Sequence, residues 1–267
     1  LSIIINLSYT EQHEENPFSM FTENPEAATG EFIGAVIACN EKFEKKIDSQ
    51  YSFRVFTEIA KNNPEYFGEN ECGMIAEFFV PNITQDSFFY ALKFATYIIK
   101  SSESESLSKM FFDVFKSHFF VLSEPCVETQ SQELIFFTQF IHVVNDFNYL
   151  VPILAESFLF KRINEILGSV SIVQTAIKLL IELININGEM MDHGKPYNVT
   201  LFDLFIRTEF KNNYSGFVFM LQDLYDDMNV KSKQETFNLL SILLCRDDIS
   251  RVILDGYNFE YLESILE

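Results

Sequence analysis

The chain has no tryptophan, and among its 267 residues only 9 glycines, 7 prolines and 4 cysteines. With so few helix breakers, and with no dominant period-two alternation of apolar and polar residues, a strand-rich fold is excluded and an all-helical one is expected. Cys39, Cys72, Cys126 and Cys245 lie far apart with no C-x-x-C pair, and the histidines do not cluster. Zinc and dithiol redox chemistry are thereby left without ligands at the right spacing, so no metal and no cofactor is expected, and the thiols read as reduced and mostly buried. No apolar run reaches the roughly 18 residues of a membrane span, and the opening LSIIINLS lacks the basic flank of a signal peptide. No membrane insertion is expected, and the implied residence is cytoplasmic or nuclear. Glycosylation sequons at Asn6, Asn82, Asn198 and Asn213 are too few above the roughly two expected by chance to change that.

Positive charge is also scarce. Lys and Arg number 19 against 39 Asp and Glu, a formal net charge of -20. A nucleic-acid backbone or an anionic membrane demands a basic surface, so neither is expected as the main partner, whereas solubility and protein partners are favoured. The excess is spread along the chain, with no acidic tail or basic arm.

What the sequence does have is apolar and aromatic content. Hydrophobic residues make up 48% and charged residues 22%, which rules out general disorder. Phenylalanine alone contributes 30 residues, and rings in that number most simply fill a long thin core.

Internal repeats organise this content. Taking TAIKLLIELI (Thr175 to Ile184) as template, YSFRVFTEIA (Tyr51 to Ala60), YALKFATYII (Tyr90 to Ile99), ELIFFTQFIH (Glu133 to His142) and ETFNLLSILL (Glu235 to Leu244) align without gaps. The second position runs Ser52, Ala91, Leu134, Ala176, Thr236, so successive copies stand 39, 43, 42 and 60 residues apart. A preceding helix recurs too, as Cys72, Ile75, Phe78, Phe79, then Phe160, Ile163, Ile166, Leu167, then Val218, Leu221, Leu224, Tyr225, and last Phe259, Leu262, Ile265, Leu266. Phe115, His118, Val121, Leu122 fits with one polar member. Gly68 and Gly256 stand ahead of two copies, as a sharp turn between helices requires. Gly168 and Ser169 hinge the pair in FKRINEILGSVSIVQTAIKLLIELI. Ser232 with Glu235 and Thr129 with Gln132 have capping-box spacing.

These phrases, with VILDGYNFEYLESIL and EYFGENECGMIAEFF, resemble the armadillo-repeat family and, less closely, HEAT repeats. The resemblance covers roughly residues 31–267 and implies units of about 40 residues that stack into a right-handed alpha-alpha superhelix, an armadillo-like solenoid. The implied units are 31–63, 64–102, 107–146, 147–187, 201–248 and a partial 249–267, with a protruding loop inserted at 186–200 around the breakers Gly188, Gly194 and Pro196. Residues 1–30 read as the end of an upstream repeat plus an irregular acidic insertion. SSESES, from Ser101 to Ser106, reads as a solvated polar connector. Neither end carries a polar capping repeat, so the chain is expected to be part of a longer protein.

Motifs for chemistry are missing. There is no Gly-rich phosphate loop, G-x-S-x-G elbow, H-E-x-x-H or EF-hand spacing, so no enzyme activity is expected. His118 reads as a hydrogen-bonded core histidine, and the acid pairs at Asp226 and Asp247 as solvated turn residues. The functional lead is the groove that the resemblance implies along the stacked template helices. Template position four carries Arg54, Lys93, Phe136, Lys178 and Asn238, position eight adds Tyr97 and Phe140, and position one adds Tyr51 and Tyr90. Basic rungs beside aromatic ones suit an acidic, aromatic-anchored protein segment, resembling the catenin style of groove rather than the tryptophan-dependent importin-alpha style. A non-enzymatic protein-interaction scaffold is therefore expected. The alternative is the armadillo-like inhibitory module of a formin-type cytoskeletal regulator, which would bind a small GTPase and an autoinhibitory helix.

Overall fold

The computed structural model describes residues 25–43, 49–119, 121, 126–156, 159–247 and 249–251. They are mostly helical, with one two-stranded sheet among the described residues. The chain divides into two compact units, Leu1–Val144 and Asn145–Glu267.

In the first unit, α1 (Pro25–Phe43), α2 (Ser49–Asn62), α3 (Glu69–Phe79), α4 (Gln85–Ser102), α5 (Glu105–Phe115) and α6 (Val127–Val144) follow one another, with 3-10 turns at Pro64–Tyr66 and Val80–Asn82. Helix α2 packs on α4 and α4 on α6, while α1 packs on α3 and α3 on α5. Each of α2, α4 and α6 is a template helix, so the sequence repeat is also a packing repeat. Its apolar positions supply the reason. Phe53, Phe56 and Ala60 in α2, and Leu92, Phe94, Ala95 and Ile99 in α4, are buried, and spacings of three and four residues put them on one broad face.

Phenylalanine fills that core as a connected series of rings. Phe56 meets Phe79 edge-on with centroids 5.2 Å apart and touches Phe94 at 6.2 Å. Phe94 leads to Phe111, Phe111 to Phe115, and Phe115 to Phe136. Most of these contacts have the edge-to-face or offset geometry that the ring quadrupole favours.

A hydroxyl marks the register of the repeat. Thr57, Thr96 and Thr138 each donate from Oγ1 to the carbonyl four residues back, of Phe53 (2.6 Å), Leu92 (2.7 Å) and Leu134 (2.7 Å). Thr57 Oγ1 is also 2.9 Å from the Tyr90 carbonyl of α4, and Gln132 Nε2 of α6 donates to Thr96 Oγ1 at 3.2 Å. Thr57 and Thr96 hold template position seven; Thr138 holds it only if the α6 copy begins at Gln132, one residue earlier than the gapless alignment places it. Leu134, Phe136 and Phe140 then fall among the buried positions.

The second unit contains α7 (Phe147–Glu156), α8 (Leu159–Leu167), α9 (Val173–Asn185), β1 (Asn187–Asp192), β2 (Lys195–Thr200), α10 (Leu201–Glu209), α11 (Tyr214–Tyr225) and α12 (Val230–Leu244). The break between α8 and α9 lies at Gly168 to Ile172, where the Gly-Ser hinge is read. The template helices α9 and α12 pack directly together despite their wider spacing, because the additional residues between them form a hairpin and do not displace either helix.

The protruding loop expected at 186–200 takes the form of this hairpin. Strands β1 and β2 are antiparallel, with Asn187 opposite Thr200 and Asp192 opposite Lys195. The two-residue turn consists of His193 (φ 46°) and Gly194 (φ 79°); left-handed backbone at both positions suits the twist of a tight hairpin. Ile186 and Val199 at its base are buried, and the Leu201 N–H donates to the Ile186 carbonyl at 3.0 Å.

Other expectations need correction. Helix α1 begins at Pro25, inside the stretch read as irregular; residues 1–24 and the partial repeat beyond 251 lie outside the described residues. Helix α5 stops at Phe115 and residues 116–119 are turn, so His118 does not continue a helical stripe, and Leu122 lies outside the described residues; the better apolar stripe is Leu107, Phe111, Phe112 and Phe115. Ser232 and Thr129 sit inside helices and are buried; the cap of α12 is Asn229, whose Oδ1 accepts from the Ser232 N–H at 2.9 Å. Of the described thiols Cys72 is buried, Cys126 half-buried and Cys245 exposed. His118 lies half-buried beyond α5, its ring 6.1 Å from Phe88, where desolvation lowers its imidazole pKa.

Candidate protein-binding surface

Because α2, α4 and α6 turn the same template positions inward, they also turn the same positions outward. With α6 begun at Gln132, position four reads Arg54, Lys93 and Ile135, position eight Glu58, Tyr97 and Gln139, and position eleven Lys61, Lys100 and His142. None of these nine side chains is buried. Positions four, eight and eleven are spaced by four and three residues, so on each helix they form one stripe.

The cations of this face rest on rings. Arg54 Cζ lies 5.9 Å from the centroid of Tyr90, across the contact between α2 and α4. Lys93 Nζ lies 5.1 Å from the centroid of Phe89, one turn back on its own helix. Both distances are within the range over which a ring face attracts a cation, an attraction of roughly 0.5–1 kcal/mol at an exposed site. The rings hold the charged groups over apolar ground without neutralising them.

The structure therefore brings together Arg54, Tyr90, Lys93 and Tyr97 from the predicted set. For Tyr51 it gives the position in α2 and not the side chain. It removes Phe136 and Phe140: both are fully buried, at 0% exposure, and belong to the phenylalanine core. The outward residue at that rung is Ile135, 37% exposed. Phenylalanine was a misleading guide because three apolar residues in a row, Ile135 to Phe137, fit either register; the Thr138 hydroxyl is the signal that distinguishes them. Lys178 and Asn238 belong to the second unit. Both are exposed, and Lys178 Nζ is paired with Glu235 Oε1 of α12 at 3.4 Å, which leaves it a weaker anion site than an unpaired lysine.

Sequence reasoning missed Lys61 and Lys100. Each lies seven residues after a predicted rung, a spacing that returns to the same side of a helix, and that signal was available.

Among the described residues no group of three or more His, Cys, Asp or Glu is placed to hold a metal ion, and no helix is long and apolar enough to cross a membrane. Comparison with protein-family models, with curated proteins and with solved structures finds no match.

Proposed function

We propose that this chain is a non-enzymatic protein-interaction scaffold, an armadillo-like superhelix that binds an extended or helical segment of a partner protein along the groove lined by its template helices. The observation that supports this reading is the coincidence of two periodicities in the first unit. The same helix recurs in sequence, and its copies lie against one another with equivalent positions facing outward. Side-by-side copies present ladders of side chains, which suit a ligand that is itself periodic, as an extended or helical segment is. Affinity in such a site comes from a few aromatic and basic anchors and not from the whole area.

Selection of a phage-displayed peptide library on the immobilised folded chain tests this without knowledge of the partner. A scaffold enriches related peptides that bind the folded chain, lose binding on its denaturation and cross-link to α2, α4, α6, α9 or α12. Failure to enrich any peptide, or cross-links confined to other elements, would reject the reading.

A further inference from the structure

We infer that the outward face of α2 and α4 is an anion-selective docking surface for an acidic segment of a partner protein, with Arg54, Lys61, Lys93 and Lys100 as its charge anchors. The inference rests on the scaffold reading and specifies where on the chain the partner sits and what chemistry it carries.

The argument is one of charge placement. Acids outnumber bases two to one in this chain, so a lysine or arginine should readily find a carboxylate. In the first unit the cation of α5 and the one at its C-cap do: Lys109 pairs with Glu105, and Lys116 with Asp113 at 3.1 Å. The four cations of α2 and α4 do not pair with any carboxylate among the described residues. They lie in two rows on adjacent helices, Arg54 with Lys93 and Lys61 with Lys100. Glu58 between the rows and Asp86 at the start of α4 are the acids of the same stripes, so the cations keep a two-to-one local majority, the inverse of the ratio in the whole chain.

A competing explanation covers half of the set. Lys61 and Lys100 stand in the last turns of their helices, where a cation offsets the partial negative charge of the terminal carbonyls. Arg54 and Lys93 are in mid-helix, so that explanation does not reach them. Their contacts with Tyr90 and Phe89 fix their direction and lower the entropy lost when they grip an anion. Tyr97 lies one turn beyond Lys93 on the same stripe, which gives the ligand an aromatic neighbour as well as a charged one.

The test uses the whole chain and a fluorescein-labelled peptide of four Asp-Glu-Tyr repeats, followed by fluorescence anisotropy. A peptide of four Asn-Gln-Tyr repeats is the uncharged control, and a single-stranded DNA oligonucleotide of equal charge is the competitor. The acidic peptide should bind at least about tenfold more tightly than the uncharged one and weaken with added salt. The double variant R54E/K93E should lose about tenfold or more in affinity with an unchanged circular-dichroism melt, and K116E, at an exposed paired lysine outside the stripes, should stay within about twofold. R54Q/K93Q serves in place of the charge reversal if that variant melts early. Equal binding of the two peptides, unchanged binding by both double variants, or displacement by DNA as effective as by peptide would overturn the inference. Library selection of uncharged peptides whose binding survives R54E/K93E would overturn it too while leaving the scaffold reading in place.

Discussion

The guanidinium of Arg246 grips the carboxylate of Asp203 with two prongs, Nη1 to Oδ1 at 2.9 Å and Nη2 to Oδ2 at 3.1 Å. Three more donors converge on the same group: the Tyr214 hydroxyl at 2.7 Å, the Thr200 N–H at 2.8 Å and the Thr200 hydroxyl at 2.9 Å. One carboxylate thus caps α10, holds the first residue of α11 and anchors the chain just after α12. Neither partner is far from water, with side chains 13% and 23% exposed, but both are shielded enough for the pair to matter. Removing one partner strands the other, so Asp203→Ala or Arg246→Met should destabilise the second unit by roughly 3 kcal/mol. Urea unfolding followed by circular dichroism measures it, and a loss under about 0.5 kcal/mol, typical of a neutral surface change, would show the cluster to be incidental.

The same carboxylate sets an acid limit. Burial would raise its pKa, but hydrogen bonds from Arg246, Tyr214 and Thr200 outweigh burial and hold it below the ordinary aspartate value. A group depressed in the folded state binds its proton more readily when unfolded. Its contribution is therefore complete above the unfolded pKa of about 3.9 and is lost as pH falls through the lower folded value. In Asp203→Asn this component should vanish: the variant should lie below the wild type at neutral pH, and the gap should narrow in acid. A gap independent of pH would contradict the assignment.

Gly188 and Phe147 make a second close relationship in the same unit. A Cβ built on Gly188 would lie 2.3 Å from Phe147 Cδ1 and 2.9 Å from its Cβ, so a methyl group there forces the hairpin away from α7. Gly188→Ala should cost about 1–3 kcal/mol, the usual range for overpacking. Gly194→Ala tests a different cause, since open space surrounds it and only its φ of 79° is at issue; its effect should be near 1 kcal/mol. Amide exchange in β1 and β2 reports both.

The helices were legible in the sequence because their apolar residues recur at three and four, and all five template stretches are helical. The register of α6 was less so. Apolar matches at Ile135, Phe136 and Phe137 satisfy two alignments, and the hydroxyl ladder that selects one depends on hydrogen bonds rather than hydrophobicity. The hairpin was hidden by its own chemistry: Gly188 and Gly194 read as loop residues, and His193 at a left-handed position lacks the usual Asn or Asp signature. Asp203 and Arg246 are 43 residues apart in sequence, beyond any local pattern. On the surface, the basic stripes were half-seen, as Arg54 and Lys93 without Lys61 and Lys100.

The register of α6 can itself be tested. Phe136 is fully buried and stacks on Phe140 with centroids 6.2 Å apart, so Phe136→Ala should cost about 3–5 kcal/mol. Its neighbour Ile135 faces outward, and Ile135→Gln should change stability by no more than about 0.5 kcal/mol. Reversal of that order in thermal melts would restore the alignment that begins at Glu133 and return Phe136 to the surface.

Thiol reactivity offers a last independent measure of packing. Burial pushes the Cys72 thiol up, with Glu71 and Glu69 adding to it, to about 12. Its Sγ also lies 3.8 Å from the Phe67 carbonyl, to which it donates. Since the thiolate is the nucleophile, a buried thiol with so little of it should resist alkylation near neutral pH, whereas exposed Cys245 should react freely. Brief iodoacetamide treatment followed by peptide mapping should label Cys245 well before Cys72. Denaturant should bring Cys72 to the rate of an ordinary thiol at the concentration where the first unit unfolds. Labelling of Cys72 in the native chain as fast as Cys245 would mean that α3 does not pack as described, and that the core beneath the basic stripes opens on the timescale of the experiment.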